Sequence, residues 1–295
     1  MKASARPSGS PEFVPFVKMQ AAGNAFVLVD ALSGPVLDWP QLSVATADPH
    51  FAVGHDGLLV VLPSETADYR QRMFNPDGTE DMCGNGLRCV AKYLHDTGRI
   101  GSAVILETIA GPRSVELLRT SGATAYLRAE LGVPDVRDVP LTLDALPPAA
   151  RAGVPRDVLD ALQTALAAAV YVSFGTPHVV LRTESALPDG AWETVSRALE
   201  RSALSDEPTN VTWFRGTGAG RIEARFWERS IGETLACGTG TAGAMVAARR
   251  AGLADEELAI GTKGGELRAT WNAEGAVHVE GPATTVFRGQ WRLSQ

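Results

Sequence analysis

Apolar residues in this chain fall into short blocks set between glycine, proline and acidic clusters, and the order of the blocks occurs twice. In the first half, a strand-like run Ala25–Asp30 follows Gly23-Asn24. Two more strand-like runs come at Leu58–Leu62 and Tyr69–Phe74. An acidic, turn-like stretch then leads into Cys83-Gly84-Asn85-Gly86, and an apolar helix-compatible run continues to about Gly98. In the second half, Val170–Phe174 and His178–Arg182 read as strands around Gly175-Thr176, and Arg221–Glu228 alternates apolar with polar. A second helix starts at Cys237-Gly238-Thr239-Gly240 and stops near Gly252. Helices are predicted near 40–48, 85–96, 156–168, 191–202 and 240–250. Further strands are expected within Glu266–Trp291, returning to complete the first half.

A period this long is a duplicated domain, not a solenoid array. The pattern predicts an α+β protein with two lobes of mostly antiparallel sheet, each wrapped on a helix. Residues 14–132 would form the lobe carrying Cys83, completed by 284–295, and residues 133–283 the lobe carrying Cys237. The proline-rich stretch Pro134–Pro155 reads as the linker. Residues 1–13 are expected to be disordered, and Gly9-Ser10-Pro11-Glu12-Phe13 resembles a cloning scar.

Composition narrows the classes. Among 295 residues, 45% are hydrophobic and 21% charged, the profile of a soluble globular protein. A net charge of −7 argues against a nucleic-acid surface. No apolar run has membrane-spanning length, and the N-terminus has no signal-peptide core. Three cysteines make no disulfide framework, so a cytoplasmic location is expected.

Two of those three cysteines open the matched C-G-x-G motifs. A helix that starts there presents unpaired N–H groups and the positive end of its dipole, an anion site that also favours thiolate. Two such starts suit a substrate carboxylate gripped from both sides, with one thiolate and one thiol on opposite faces of its α-carbon. That is equipment for inverting a carbon centre by two-base proton transfer. Neither a zinc site nor a phosphate loop fits: Cys83 and Cys89 are too widely spaced, no His follows at ligand spacing, and Lys-Ser/Thr is missing. No pyridoxal phosphate signal is present, so no cofactor or metal is expected. Cys89, inside the first helix, reads as a small buried apolar residue. Taken singly, His178, Glu228, Arg229 and the asparagines Asn24, Asn75 and Asn210 would pass for structural or surface residues.

Together these residues resemble the diaminopimelate epimerase family, cofactor-independent two-cysteine epimerases. The resemblance lies in Lys18–Phe26, Phe74–Cys89, Gly175–His178, Thr209–Val211, Trp227–Arg229, Gly232–Gly240 and Gly281–Phe287. It implies that Cys83 and Cys237 are the acid/base pair and that His178 and Glu228 assist. It implies substrate contacts from Asn24, Asn75, Gly84, Asn85, Asn210, Glu228, Arg229, Gly238 and Thr239. It also implies two pseudo-symmetric lobes, each a β-barrel around a helix, and a homodimer acting on a small amino acid. The family pattern has G-L-G-N-D-F, a glutamine after Asp56 and N-P-H; this chain has Ala21–Phe26, Gly57 and Thr176-Pro177-His178. Two alternatives follow: a racemase of another amino acid with an altered distal pocket, and a non-catalytic binding or redox-sensing paralogue.

Overall fold

The structure, a computed structural model, describes residues 12–34, 36–152, 154–201, 208–229, 231–271 and 275–293. The chain divides into two compact units. One holds the chain up to Ala21, Ala25–Leu127 and Pro282 onward; the other holds Ala22–Asn24 and Arg128–Gly281.

The first unit is built on strands β1 (Phe13–Ala21) and β2 (Asn24–Asp30), helix α1 (Trp39–Ala47), strands β3 (Gly57–Leu62) and β4 (Tyr69–Phe74), helix α2 (Gly84–Asp96), strands β5 (Ala103–Thr108) and β6 (Gly111–Ser121), and, as far as Leu127, strand β7 (Thr124–Gly132). A later strand, β16 (Val277–Arg292), pairs antiparallel with β1 from Phe13↔Arg292 to Gln20↔Thr284, closing the strand order into a barrel. Two joints are parallel: β2 with β3, and β4 with β5. Parallel neighbours need a long crossover, and α1 and α2 are those crossovers. Helix α2 is the central one. Every residue from Gly84 to Leu94 is buried, and the helix packs against β1, β3, β4, β5 and β6. Helix α1 instead buries Trp39 and Leu42 in a cluster with Val27, Leu58 and Val60. With apolar neighbours on both faces, Leu58–Val61 is an unbroken apolar run, fully buried, where a half-buried strand would alternate.

The second unit repeats this plan. It contains β8 (Asp135–Asp138), α3 (Pro148–Ala152), α4 (Arg156–Ala167), β9 (Val170–Ser173), β10 (Pro177–Arg182), α5 (Asp189–Glu200), β11 (Asn210–Gly218), β12 (Arg221–Glu228), β13 (Gly232–Thr234), α6 (Gly238–Arg250), β14 (Glu257–Thr262) and β15 (Gly265–Thr270). The parallel joints recur, β10 with β11 across α5, and β12 with β14 across α6. Helix α6 is buried from Gly238 to Ala248, and α4 and α5 cover the sheet through Leu162, Leu166, Trp192 and Val195.

Two expectations change. The predicted linker carries β8, which pairs antiparallel with β9; Pro134 and Pro140 flank this strand without interrupting it, so its backbone donors survive. At the N-terminus, Phe13 already pairs with Arg292, and Leu293 N–H donates to the Glu12 carbonyl at 3.0 Å. Residues 12 and 13 therefore belong to the folded sheet, and the rest of the segment predicted as disordered, 1–11, lies outside the described residues.

Candidate active site

Both cysteines are helix N-caps. Cys83 has extended backbone (φ −134°, ψ 111°) and caps α2. Cys237 does the same for α6 (φ −128°, ψ 124°). Each sulfur accepts the N–H of the third helical residue, Gly86 or Gly240, at 3.4 Å. A side-chain acceptor here satisfies one of the four orphan N–H groups of a helix start. Sulfur does so best as thiolate, so the cap and the dipole favour the same charge state.

The glycines are dictated by packing. A Cβ on Gly86 would sit 2.7 Å from Leu59 Cδ2, and one on Gly240 would sit 2.6 Å from Phe226 Cδ1 and 2.9 Å from Thr212 Oγ1. Only glycine lets the helix start seat against its sheet. Gly240→Ala is expected to cost about 1–3 kcal/mol through overpacking, read as a lowered melting temperature; an unchanged Tm would mean that the helix start shifts freely.

Around Cys237 the second unit assembles a hydrogen-bonded network. His178 and Asn210 are register partners on the parallel pair β10–β11. Asn210 Oδ1 accepts the Arg229 N–H at 2.8 Å, which turns its Nδ2 toward His178 Nε2 at 3.5 Å. Nε2 bonds Thr239 Oγ1 at 2.8 Å, and Nδ1 bonds Thr212 Oγ1 at 3.1 Å. Thr239 Oγ1 in turn lies 3.4 Å from Cys237 Sγ. His178 is 1% exposed, and burial first, then the Arg229 charge, lowers its pKa to about 3. The imidazole is neutral at physiological pH. Glu228 ends β12 and accepts a hydrogen bond from Thr234 Oγ1. Asn24 follows a two-residue turn in which Ala22 (φ 51°) and Gly23 (φ 81°) are both left-handed, the hairpin geometry that matches strand twist.

Cys83 is reached from the β4–α2 connection in the first unit. Asn75 begins it, with its N–H on the Thr79 carbonyl at 2.8 Å and its Nδ2 on Thr79 Oγ1 at 3.0 Å. Asn85 is fully buried, and its Oδ1 accepts from Arg88 Nη2 at 2.6 Å. Cys89 is fully buried and its thiol is pushed up by burial, out of reach of thiolate chemistry.

Gly57 opens β3, where a Cβ would lie 3.3 Å from the Phe26 ring and 3.5 Å from Met73 Cε. Thr212, Thr239 as a bridge to His178, and Arg88 carry weight that motif reading missed. Thr212 had a signal, since it shares a strand face with Asn210 two residues earlier. Arg88 had one too, as a charge set between Leu87 and Cys89 in a helical run. No group of three or more His, Cys, Asp or Glu placed to hold a metal ion occurs among the described residues.

Comparison with known proteins converges. The sequence profile for diaminopimelate epimerase matches residues 16–132 and 170–286. A diaminopimelate epimerase from Pelotomaculum thermopropionicum is 36% identical over 280 residues, covering 94% of this chain and 98% of that relative. One from Methanococcus maripaludis is 32% identical, covering 93% and 98%. Among solved structures, a predicted epimerase from Pseudomonas aeruginosa superposes with a TM-score of 0.71 at 17% identity, covering 95% of this chain and all of that one. A hydroxyproline epimerase from Agrobacterium vitis, with bound trans-4-hydroxy-L-proline, has a TM-score of 0.67 at 14% identity, covering 95% and 91%. These two show the fold.

Proposed function

The chain belongs to the diaminopimelate epimerase family, and from that premise we propose that it interconverts LL- and meso-diaminopimelate by proton transfer between Cys83 and Cys237, in lysine and peptidoglycan precursor biosynthesis. The observation that carries the mechanism is the repeated cap: two cysteines, each holding the third N–H of a buried helix.

In this reading one sulfur enters as thiolate and takes the α-proton. The C–H electron pair spreads onto the α-carboxylate, whose developing charge is met by the N–H groups of Gly84-Asn85 and Gly238-Thr239 and by two helix dipoles. The other sulfur, a thiol, delivers its proton to the opposite face. One proton is removed and one supplied, so the roles of the sulfurs are exchanged after each turnover. The neutral His178, braced by Thr212, orients Thr239 beside Cys237. Glu228 assists proton transfer or holds the reacting amine, while Asn24, Asn75, Asn210 and Arg229 take the polar ends of the substrate. Cys83 and Cys237 form no disulfide in the structure, a state that a reducing compartment preserves, so the reading includes a cytoplasmic enzyme, and family resemblance adds a homodimer, to be checked by light scattering.

Exchange of the α-proton in deuterated water, run on diaminopimelate beside single-centre amino acids, is the test. Exchange confined to diaminopimelate is expected. Exchange on another amino acid alone would move the substrate, and none at all would leave a binding protein. The crowding at Gly57 gives a further expectation: Gly57→Gln, although it restores the usual family residue, should lose activity on diaminopimelate because Phe26 must yield. A clear gain in kcat/KM would show instead that the missing amide limits recognition.

A further inference from the structure

The two caps are alike in sequence but not in the charge around them. Five positions after the cap stands Arg88 on α2, and Ala242 on α6. Arg88 is 0% exposed. Long helical side chains lean toward the helix N-terminus, and Nη2 of Arg88 accordingly reaches Asn85 Oδ1 in the first turn, at 2.6 Å. Its Nε and Nη1 have no hydrogen-bond partner among the described residues. Burial lowers the Arg88 pKa to about 10, opposed by attraction to the Cys89 and Cys83 sulfurs, so the guanidinium stays charged at neutral pH. A buried cation with unused N–H groups at a helix N-terminus is an environment for an anion. Cys89, sealed in the core, does not supply it.

Around Cys237 the hydrogen-bonding neighbours are neutral. His178, buried and uncharged, bonds Thr239, and Thr239 bonds Cys237. A neutral hydroxyl stabilises a thiolate less than a buried guanidinium does. We infer that the free enzyme holds its thiolate at Cys83 and its proton at Cys237, and that Arg88 is the positioning residue that sets this asymmetry. The inference rests on the two-thiol reading above. The stereoisomer whose α-hydrogen meets Cys83 reacts with this form directly. The other must wait until Cys237 has given its proton to water and Cys83 has taken one.

Other charges on the elements packed against α2 are engaged elsewhere. Lys18 on β1 bonds the Gly54 carbonyl, and Lys92 on α2 itself bonds Asp96 at 2.5 Å. On β4, Arg72 pairs with Glu80 at 2.6 Å, and Arg70 lies 3.7 Å from Glu107 of β5. On β6, Arg113 bonds the Pro112 carbonyl, Glu116 is exposed, and Arg119 stacks on Tyr126. Around α6, Arg182 on β10 pairs with Glu184, Arg215 on β11 with Glu223, and Arg225 on β12 with Glu233 and Asp189. On β14 and β15, Glu257 pairs with Arg268 and Glu266 with Arg221. His178 and the charge of Arg229 belong to the Cys237 network itself, and Glu228 accepts from Thr234.

The test is alkylation of the whole protein by iodoacetamide across pH, with the Cys83 and Cys237 peptides quantified separately by mass spectrometry. Cys83 should react with the lower midpoint. In Arg88→Met its midpoint should rise by about one pH unit or more, the usual effect of removing a nearby opposite charge. The Cys237 midpoint should stay put, and Arg88→Lys should recover part of the shift. A Cys83 midpoint at or above that of Cys237, or one unmoved in folded Arg88→Met, overturns the inference. Should Arg88→Met fail to fold, the order of midpoints in the unaltered protein and the Arg88→Lys profile still decide. The alkylation profile does not depend on turnover, so a protein with staggered midpoints and no α-proton exchange would refute the proposed function alone.

Discussion

Alanine at either Cys83 or Cys237 should abolish net epimerisation, lowering kcat/KM by at least about a thousandfold, the scale of losing a positioned acid or base. The two losses should be unlike in kind. Inversion needs a base on one face and an acid on the other, so removing one sulfur stops inversion without stopping proton abstraction by the other. Each single variant should still exchange the α-hydrogen of one stereoisomer with deuterated water, and the two variants should prefer opposite stereoisomers. The double variant should do neither. Both sulfurs act as caps in the folded protein, so Cys→Ala also removes a cap worth about 1 kcal/mol. Melting temperatures of the variants separate that structural loss from the catalytic one. A variant that inverts diaminopimelate at near-normal rate would end the two-base reading.

Acid should destabilise the protein well before its carboxylates titrate. His178 and His55 are buried and neutral, with pKa values lowered to about 3 and about 4. Desolvation is the main cause for both, joined by Arg229 for His178 and Lys18 for His55. An unfolded histidine takes its proton near pH 6.5. Between that value and the folded pKa the unfolded state binds the extra proton, so stability is full above about 6.5 and falls as pH falls. Each histidine contributes a slope of about 1.4 kcal/mol per pH unit, or roughly 2 kcal/mol lost by pH 5. Urea titrations at pH 8, 6.5 and 5 should show that fall, and His178→Gln or His55→Gln should flatten it by about half. Parallel curves for parent and variants would show that neither ring resists protonation in the folded state.

The parts of this molecule that were legible in sequence are those written locally. The C-G-x-G motifs marked both helix starts because the cap, the dipole and the glycine clearance lie within four residues. The helix predicted at 240–250 begins at Gly238 in the structure, since glycines at a helix start carry no apolar periodicity. Strand β8 was hidden because four residues between prolines look like a linker. The parallel joints were also invisible. A strand pattern reports which face is buried, not which partner lies alongside; the expectation of a mostly antiparallel sheet holds for the other joints. Of the candidate site, the residue types were legible and their wiring was not. His178 meeting Thr239 is a contact across 61 residues, and the direction of each hydrogen bond depends on the next.

The pairing of β1 with β16 also has a temporal side. During synthesis Phe13 emerges long before its partner Arg292. The second unit takes most of its sequence from one continuous stretch, Arg128–Gly281, and can close as soon as that stretch has left the ribosome. The first unit, translated earlier, must keep the open edge of β1 until β16 arrives. An unpaired edge is the template for aggregation, so the vulnerable interval in synthesis runs from β1 to β16, in the half that is made first. A chain stopped at Gly281 should expose the first unit to protease while the second resists.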